Sequence, residues 1–207
     1  MRHTISVTPK LILSGVQTAK VVGPGGEEIH ADEHGRVKVQ FHWDREGKND
    51  DTSSVWMRVS QVHAGKKFGR FDLSRIGQEV IVDFVQGDPD RPIIVGRVHN
   101  DQQDPPYELP ANKTRSGMKT RSSSEGGEAN SNEIRFEDKA GFEEVFIQAE
   151  KDMNVVVDND RSDLVRRDEV TEVTRDRTVL VGRDRTQTVV GDQSRHWPES
   201  NDVGVWR

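Results

Sequence analysis

Three histidines are the first residues in this chain that could do chemistry. His30, His34 and His42 lie near one another, and the stretch "HADEH" combines two of them with acidic residues. Imidazole nitrogens bind zinc, but this spacing is not the His-Glu-x-x-His pattern that places two histidines on one face of a helix. Gly35 follows directly and favours a turn with a positive φ angle. We therefore predict no metal site here.

Carboxylates and hydroxyls could support hydrolysis, because acid–base pairs and serine nucleophiles use these groups. Glu27 and Glu28 are adjacent in a glycine-rich stretch and are predicted to be solvated turn charges. Ser122 to Ser124 lie in a polar stretch without a Gly-x-Ser-x-Gly elbow and are predicted to be flexible linker. The chain has no cysteine, which excludes disulfides, thiolate metal sites and cysteine nucleophiles. The sequence predicts no catalytic residue, no cofactor and no enzyme activity.

Aspartates also recur at a fixed interval near the C-terminus. They stand eight residues apart at Asp160, Asp168, Asp176, Asp184 and Asp192. Repeated carboxylates can bind calcium, but the repeats that do so contain Gly-Gly-x-Gly-x-Asp nonapeptides, which this segment lacks. A second column keeps the same interval and consists of Val157, Val165, Val173, Val181 and Val189. Two columns in step indicate a structural repeat, in which aspartates at corners accept hydrogen bonds from turn amides.

The interval of eight residues distinguishes a helix from a strand. Eight residues at about 100° each rotate a helix by about 80° beyond whole turns, so the valines would not share a face. Side chains of a strand alternate with a period of two, so every column valine returns to the same face. We predict a strand of about five residues in each octad, followed by a bend. The residues two positions before the valines share their face, and these are Asp163, Thr171, Val179 and Gln187.

One chain has too few apolar side chains in these octads to fold alone. Burying a valine contributes roughly 1.5 to 3 kcal/mol, whereas ordering each residue costs about 1 to 2 kcal/mol. A single three-sided coil would use about three octads per turn, so five octads give fewer than two turns, below the roughly three repeats that a solenoid needs. Three chains wound together would bring their valines to a shared axis and pair their strand edges. We predict an intertwined trimeric β-helix, a triangular prism, with the valine column as trimer core and the aspartate column at the corners.

Residues 1–100 are predicted to form a small barrel. Five stretches show the alternation and the β-branched composition of strands, namely "QTAKVVG", "RVKVQFHW", "VWMRVSQV", "QEVIVDFV" and "RPIIVGRV". Residues 63–77 contain three glycines and are predicted to be one long connection. Five short strands with one long connection in the middle are typical of a Greek-key barrel like the oligonucleotide/oligosaccharide-binding (OB) fold.

Barrels of this kind often bind single-stranded nucleic acids through aromatic side chains in a basic groove. Residues 1–100 contain 14 basic and 13 acidic residues, and the whole chain has a net charge of -6. Because phosphate binding favours a basic surface, we expect no nucleic-acid partner. A carbohydrate- or nucleic-acid-binding barrel on a trimeric stalk remains the alternative. Its candidate side chains, of which the aromatic ones stand mostly at core positions, are Phe41, Trp43, Trp56, Phe84, Lys66, Lys67 and Arg70.

The segments after the barrel complete an all-β chain. Residues 101–132 are rich in Pro, Ser, Gly and Asn and are predicted to be an extended linker. Residues 133–150 return to strand alternation on either side of "KAGF", which predicts a hairpin with Gly141 at its tip and the start of a shaft. The octad-repeat β-helix is predicted over 151–195, and a tail over 196–207.

The two ends of the chain carry few signals. Trp197 and Pro198 stand where a sixth valine is due, so we expect the shaft to end there. His196 could meet its two copies on a threefold axis, but we predict no metal there. The opening "MRHTISVTPK" has no apolar core of signal-peptide type, and no apolar run approaches membrane-spanning length. We therefore expect no signal peptide.

The stretches "VVGPGGEEIHADEHGRVKVQFHWDREGKND" and "RIGQEVIVDFVQGDPDRPIIVGRVHN" are similar to the barrel of VgrG proteins, the spikes of type VI secretion systems. The stretches "LPANKTRSGMKTRSS" and "NEIRFEDKAGFEEVFIQAEKDMN" resemble the join between barrel and shaft in that family, and the octads resemble its triangular β-helix. The resemblance covers roughly residues 17–193.

The resemblance implies a non-catalytic, homotrimeric needle similar to the spike of contractile phage tails. Such a needle punctures target envelopes, crosses the membrane mechanically, sits on a tube of Hcp rings, carries a PAAR-type tip protein and delivers effectors. It would be cytoplasmic before firing and then be translocated into the target cell. Related phage spikes can hold a lysozyme-like domain between barrel and shaft, but about thirty residues are too few for one.

The sequence also departs from the family pattern. The large N-terminal hub domain of the family has no counterpart here, so we expect a C-terminal portion or a short form. Ser74 stands where the family often has proline, and His63 where it often has tryptophan.

Overall fold

Residues 10–191 are described by a computed structural model in which the ordered elements are almost all β-strands. The strands are β1 (Gln17–Val22), β2 (Lys38–Phe41), β3 (Arg58–Val59), β4 (His63–Gly65), β5 (Phe68–Arg70), β6 (Glu79–Phe84), β7 (Pro92–Val98), β8 (Arg115–Lys119), β9 (Glu133–Glu137) and β10 (Glu144–Gln148). A short 3-10 helix, Val85–Gly87, joins β6 to β7. The chain divides into two units between Asn154 and Val155.

The first unit contains a five-stranded sheet in the order β2-β1-β6-β7-β3. All neighbours in it are antiparallel except β3 and β7, which are parallel. The ends of the sheet meet where Val37 and Met57 exchange two backbone hydrogen bonds of 3.1 and 2.8 Å. The sheet thus curls into a Greek-key barrel, which confirms the predicted OB-like fold.

Alternating strand residues fill the barrel. Val80, Val82 and Phe84 of β6 are buried, while the residues between them are half-buried or exposed. The same alternation buries Val37 and Val39 before and in β2. Burial of each of these valines stabilises the barrel by roughly 1.5 to 3 kcal/mol. The strands also pair with other strands of the same chain, so one chain is enough to form this core. The complete buried cluster is Ala19, Val21, Val37, Val39, Met57, Val80, Val82, Phe84 and Ile94.

Two apolar residues within the predicted strand stretches lie outside the barrel core. Trp43 is 62% exposed and stacks on Phe41 with ring centres 5.0 Å apart. Val55 is exposed as well, because β3 consists only of Arg58–Val59 and the chain before Met57 is not paired as a strand. The alternation identified these strands but extended them too far at their ends.

The predicted long connection over 63–77 contains a hairpin. Strands β4 and β5 pair there, with Lys66 and Lys67 at the tip, and all six strand residues are exposed. Lys67 adopts a positive φ of 62° in this tight turn. Farther along, Ser74 is completely buried, and its hydroxyl accepts a hydrogen bond of 2.9 Å from Nε of Arg97. Ser74 therefore anchors the connection to β7.

A second, three-stranded sheet follows in the order β10-β9-β8. Its β9–β10 hairpin turns at Gly141, whose φ of 81° agrees with the predicted tip. Strand β8 was not predicted, since it lies within residues 101–132, which were expected to be extended linker. The composition of that segment is typical of loops. Its stretch "RSGMK" nevertheless pairs with β9, and no local sequence pattern specifies this pairing.

Candidate functional site

The second unit is described over residues 155–191, where the backbone bends at regular intervals. Bends fall at residues 158–159, 166–167, 174–175, 182–183 and 190–191, which are eight residues apart. Each bend directly follows a valine of the column that begins at Val157. The octad is therefore a unit of extended chain that ends in a corner.

Side-chain exposure alternates along each octad. On the face of the valine column, which also includes Val155 and Val179, apolar side chains are 44% to 59% exposed. On the opposite face the exposure of apolar side chains is 79% to 98%, as at Leu180 and Val190. A period of two is the property of a strand, so the valines share one inner face along the whole segment.

The predicted corner aspartates lie just beyond the bends. Asp160, Asp168 and Asp176 each accept a hydrogen bond from the side chain of the preceding residue. The donors are Asn159 at 3.2 Å, Arg167 at 3.0 Å and Arg175 at 2.8 Å. These donors are side chains rather than the turn amides that the sequence led us to expect. Asp184 follows the fourth bend in the same way, and Asp192 lies outside the described residues.

This extended chain buries nothing by itself. Every residue from 155 to 191 is exposed, including the valine column, and none of them belongs to a strand ladder within the chain. Extended backbone without a partner leaves its N–H and C=O groups to water, and exposed apolar faces of this length are rare on single soluble chains. The segment has the pattern of a strand stack whose other layers come from other chains.

The three-stranded sheet of the first unit has a related character. Met118, Ile134 and Ile147 stand opposite one another in the ladders and form an apolar row, and all three are more than 40% exposed. Phe136 and Val145 continue the same exposed face. The sheet therefore presents its apolar side outward in one chain.

The opposite side of this sheet carries charges that are partly buried. Arg135 reaches Glu133 at 3.2 Å and Glu144 at 3.0 Å, and its guanidinium lies 4.3 Å from the ring centre of Phe146. The hydroxyl of Tyr107 donates to Glu133 at 3.1 Å. Burial, together with this hydrogen bond, raises the pKa of Tyr107. Paired charges hold the sheet against the preceding loop, and the apolar row is left for another surface.

Comparison with known proteins assigns both parts of the chain. Residues 27–99 match the type VI secretion system/phage-baseplate injector OB domain. Residues 116–204, which include the octads, match the bacteriophage T4 gp5 C-terminal trimerisation domain. The type VI secretion system spike protein VgrG1b of Pseudomonas aeruginosa is 60% identical over 158 residues, 76% of this chain. The chain belongs to the VgrG family.

Other VgrG proteins agree with this assignment. VgrG1c of Pseudomonas aeruginosa, also a type VI secretion system spike protein, is 60% identical over 155 residues, 75% of this chain. The actin cross-linking toxin VgrG1 of Vibrio cholerae is 47% identical over 153 residues, which is 74% of this chain and 14% of the toxin. The chain spans about a fifth of the two spike proteins, 21% of each.

In this member of the VgrG family the candidate histidines do not converge. The rings of His30 and Trp56 are tilted by 32° with their centres 4.9 Å apart, and Nδ1 of His30 lies 3.2 Å from Glu27. His34 and His42 are exposed, with carboxylates at 3.7 and 3.8 Å respectively. Within residues 10–191, no three His, Asp or Glu side chains are placed to share a metal ion. His196, Trp197 and Pro198 lie outside the described residues.

Glu28 has a role that the sequence did not reveal, since it was predicted to be a solvated turn charge. Its carboxylate accepts the backbone N–H of Glu125 at 2.6 Å and lies 3.5 Å from the guanidinium of Arg75. Hydrogen bonds from Glu125 and from the Ser123 side chain, with Arg75 nearby, lower the pKa of Glu28. The barrel thus holds the β8–β9 connection over 97 positions of sequence, a distance at which no local pattern operates.

Residues 10–191 include no helix that is long and apolar enough to span a membrane. Lys66, Lys67 and Arg70 lie on the exposed β4–β5 hairpin, and Arg70 pairs with Asp72 at 3.0 Å.

Proposed function

We propose that this chain is the barrel and shaft portion of a non-catalytic, homotrimeric spike of a type VI secretion system. The spike punctures the target envelope mechanically and carries effectors across it. By resemblance to the family it sits on an Hcp tube and carries a PAAR-type tip protein. It is cytoplasmic before firing and enters the target cell when the apparatus contracts.

The observation that carries this proposal is the unburied valine column. Residues 155–191 keep five valines on one face at an interval of eight, yet bury none of them in a single chain. The match to a trimerisation domain covers this segment, and three copies meeting at an axis would bury each valine layer. Three chains also saturate the strand edges, so the shaft becomes a rigid prism with few free backbone groups.

The names of the relatives support a structural role for the assembly. VgrG1b and VgrG1c are both described as spike proteins. A rigid needle needs stiffness along its axis rather than a reactive group, and a braided β-prism supplies that stiffness through continuous ladders. The axial valines and corner aspartates are in this proposal the residues of consequence.

The proposal is tested by the mass of the full chain in solution. Light scattering coupled to size exclusion should give three times the chain mass of 23.4 kDa. Circular dichroism of the same sample should show β structure that resists heating. A well-ordered single subunit, or a dimer, would contradict the proposal, because neither can close a threefold axis.

One observation favours a second candidate, a ligand-binding barrel on a trimeric stalk. Trp43 is exposed and stacked on Phe41, and Phe68 on the basic hairpin is exposed too, so aromatic faces are available to stack on bases or sugar rings. Labelled single-stranded DNA and labelled oligosaccharides should be titrated against the full chain. Binding that falls steeply with salt for DNA, and that is lost in Trp43→Ala, would establish this function.

A further inference from the structure

The inner face of the octads is not uniform. Two positions before the column valines, the face carries Val155, Asp163, Thr171, Val179 and Gln187 in turn. Asp163 is the one charged member of this set. A carboxylate on this face needs a hydrogen-bonding or ionic partner if the face becomes buried, because burying an unpaired charge is strongly unfavourable.

Asp163 has such a partner on its own face. Arg161 stands two residues earlier, and its Nε and Nη2 donate to the two carboxylate oxygens at 2.9 and 3.3 Å. The side chains of Arg161 and Asp163 are 61% and 67% exposed. At the next bend the corner pair Arg167 and Asp168 is 93% and 76% exposed. The Arg161–Asp163 pair thus belongs to the inner face, unlike the ion pairs at the corners.

The valine column alone cannot set the register of a trimer. If one chain slides by one octad, four of its five column valines still meet another valine, as when Val165 takes the level of Val173. Strand ladders tolerate the same shift, because side-chain parity is unchanged after an even number of residues. A repeat with identical layers therefore has several registers of similar energy, and only residues that differ between octads can separate them.

We infer that Arg161 and Asp163 form the register-determining layer of the trimeric shaft. This inference rests on the trimer proposed above. In register, three Arg161–Asp163 pairs lie at one level, and each guanidinium can also reach the carboxylate of the next chain, which closes a ring of alternating charge. After a slip of one octad, Asp163 of the displaced chain lies level with Val155 or Thr171, and the ring is broken.

The energetics make this layer a device for specificity. Replacing a buried ion pair by well-packed apolar residues is often neutral or stabilising, whereas polar layers in coiled coils fix register and oligomer state. The double variant Arg161→Thr/Asp163→Val should therefore remain a heat-resistant trimer but lose its single register. The charge-swapped variant Arg161→Asp/Asp163→Arg keeps the ring and should keep the register.

The absence of cysteine allows a direct measurement of register. A single reporter, Val173→Cys, is introduced into the full chain, which is unfolded in denaturant, refolded and treated with a short thiol crosslinker. Chains in register place their reporter cysteines at one level and crosslink, whereas a chain slipped by an octad places its cysteine against valines. We expect the crosslinked fraction to fall about twofold or more in the double variant and to recover in the charge swap.

The outcomes separate the two proposals. If the reporter chain is trimeric and crosslinks equally with and without the Arg161–Asp163 pair, the register inference is wrong and the spike proposal stands. If the double variant loses thermal stability while its crosslinking is unchanged, the pair stabilises the shaft without selecting its register, and the inference is again wrong. If the reporter chain is monomeric, both proposals fail.

Discussion

Valines in the barrel and valines in the octads reach opposite surroundings within one chain. Val82 of β6 is fully buried among residues that come from all five barrel strands, whereas Val181 remains 44% exposed. Both lie in extended backbone, and both share a face with other apolar residues. The difference lies in whether the chain itself supplies the opposite wall.

The barrel supplies that wall by folding back on itself. Its antiparallel neighbours and the Val37–Met57 bridge close the sheet, so each inner side chain faces another strand of the same chain. The residues of the octads are exposed and have no strand partner within residues 155–191, so the chain does not supply that wall for its own valine face. A strand pattern therefore specifies an inner face, while topology decides which chain covers it.

The largest expected effect comes from charging the inner face of the octads. Val181→Asp should abolish the trimer, because three carboxylates would be buried close together on one axis. Leu180→Asp is the matched control, since Leu180 is adjacent in sequence but 95% exposed on the outer face. Light scattering of both variants checks the prediction. An intact trimer in Val181→Asp would show that the inner face is misassigned.

A cavity in the barrel should act within the single chain. Ile94 is fully buried, so Ile94→Ala should lower the free energy of unfolding of the barrel by about 2 to 5 kcal/mol. The exposed Val62→Ala should change it by less than about 0.5 kcal/mol. Urea unfolding followed by circular dichroism measures both. We expect the subunit number before unfolding to be unchanged, and a dissociated Ile94→Ala protein would mean that the barrel and the assembly are coupled.

The buried hydroxyl of Ser74 should have a smaller effect. Removing it in Ser74→Ala takes away the acceptor of the 2.9 Å hydrogen bond from Arg97, which should cost about 1 kcal/mol of barrel stability. The exposed Ser60 provides the control variant Ser60→Ala. Equal denaturation midpoints for the two variants would show that the hydrogen bond between Arg97 and Ser74 does not stabilise the barrel.

The smallest effect is local and depends on pH. Because hydrogen bonds lower the pKa of Glu28 below its ordinary value of 4.5, its contact with Glu125 is fully present above that pH. The contact should be lost as the pH falls through the lowered pKa and the carboxylate becomes protonated. Hydrogen exchange of the Glu125 amide, corrected for the intrinsic pH dependence, should lose protection in acid. In Glu28→Gln the side-chain amide oxygen still accepts the hydrogen bond but does not titrate, so the protection of Glu125 should not change with pH. Glu27→Gln should retain the wild-type profile.

The local features of this structure follow from short stretches of the sequence. Alternation located β1, β2, β6 and β7, and a glycine marked each of the turns at Gly35 and Gly141, because side-chain parity and positive φ angles are properties of a few consecutive residues. The octad interval likewise determined that Val157 and its equivalents share one face and that a bend follows each of them.

Contacts between groups that are distant in sequence depend on the tertiary fold. Strand β8 forms because β9 pairs with it. Glu28 accepts a hydrogen bond from the distant Glu125, and the buried Ser74 accepts one from Arg97 of β7. These contacts join residues that are 14 to 97 positions apart, where composition and spacing carry no signal. A face can be specified by the neighbours of a residue in sequence, but its partner is specified only by the path of the whole chain.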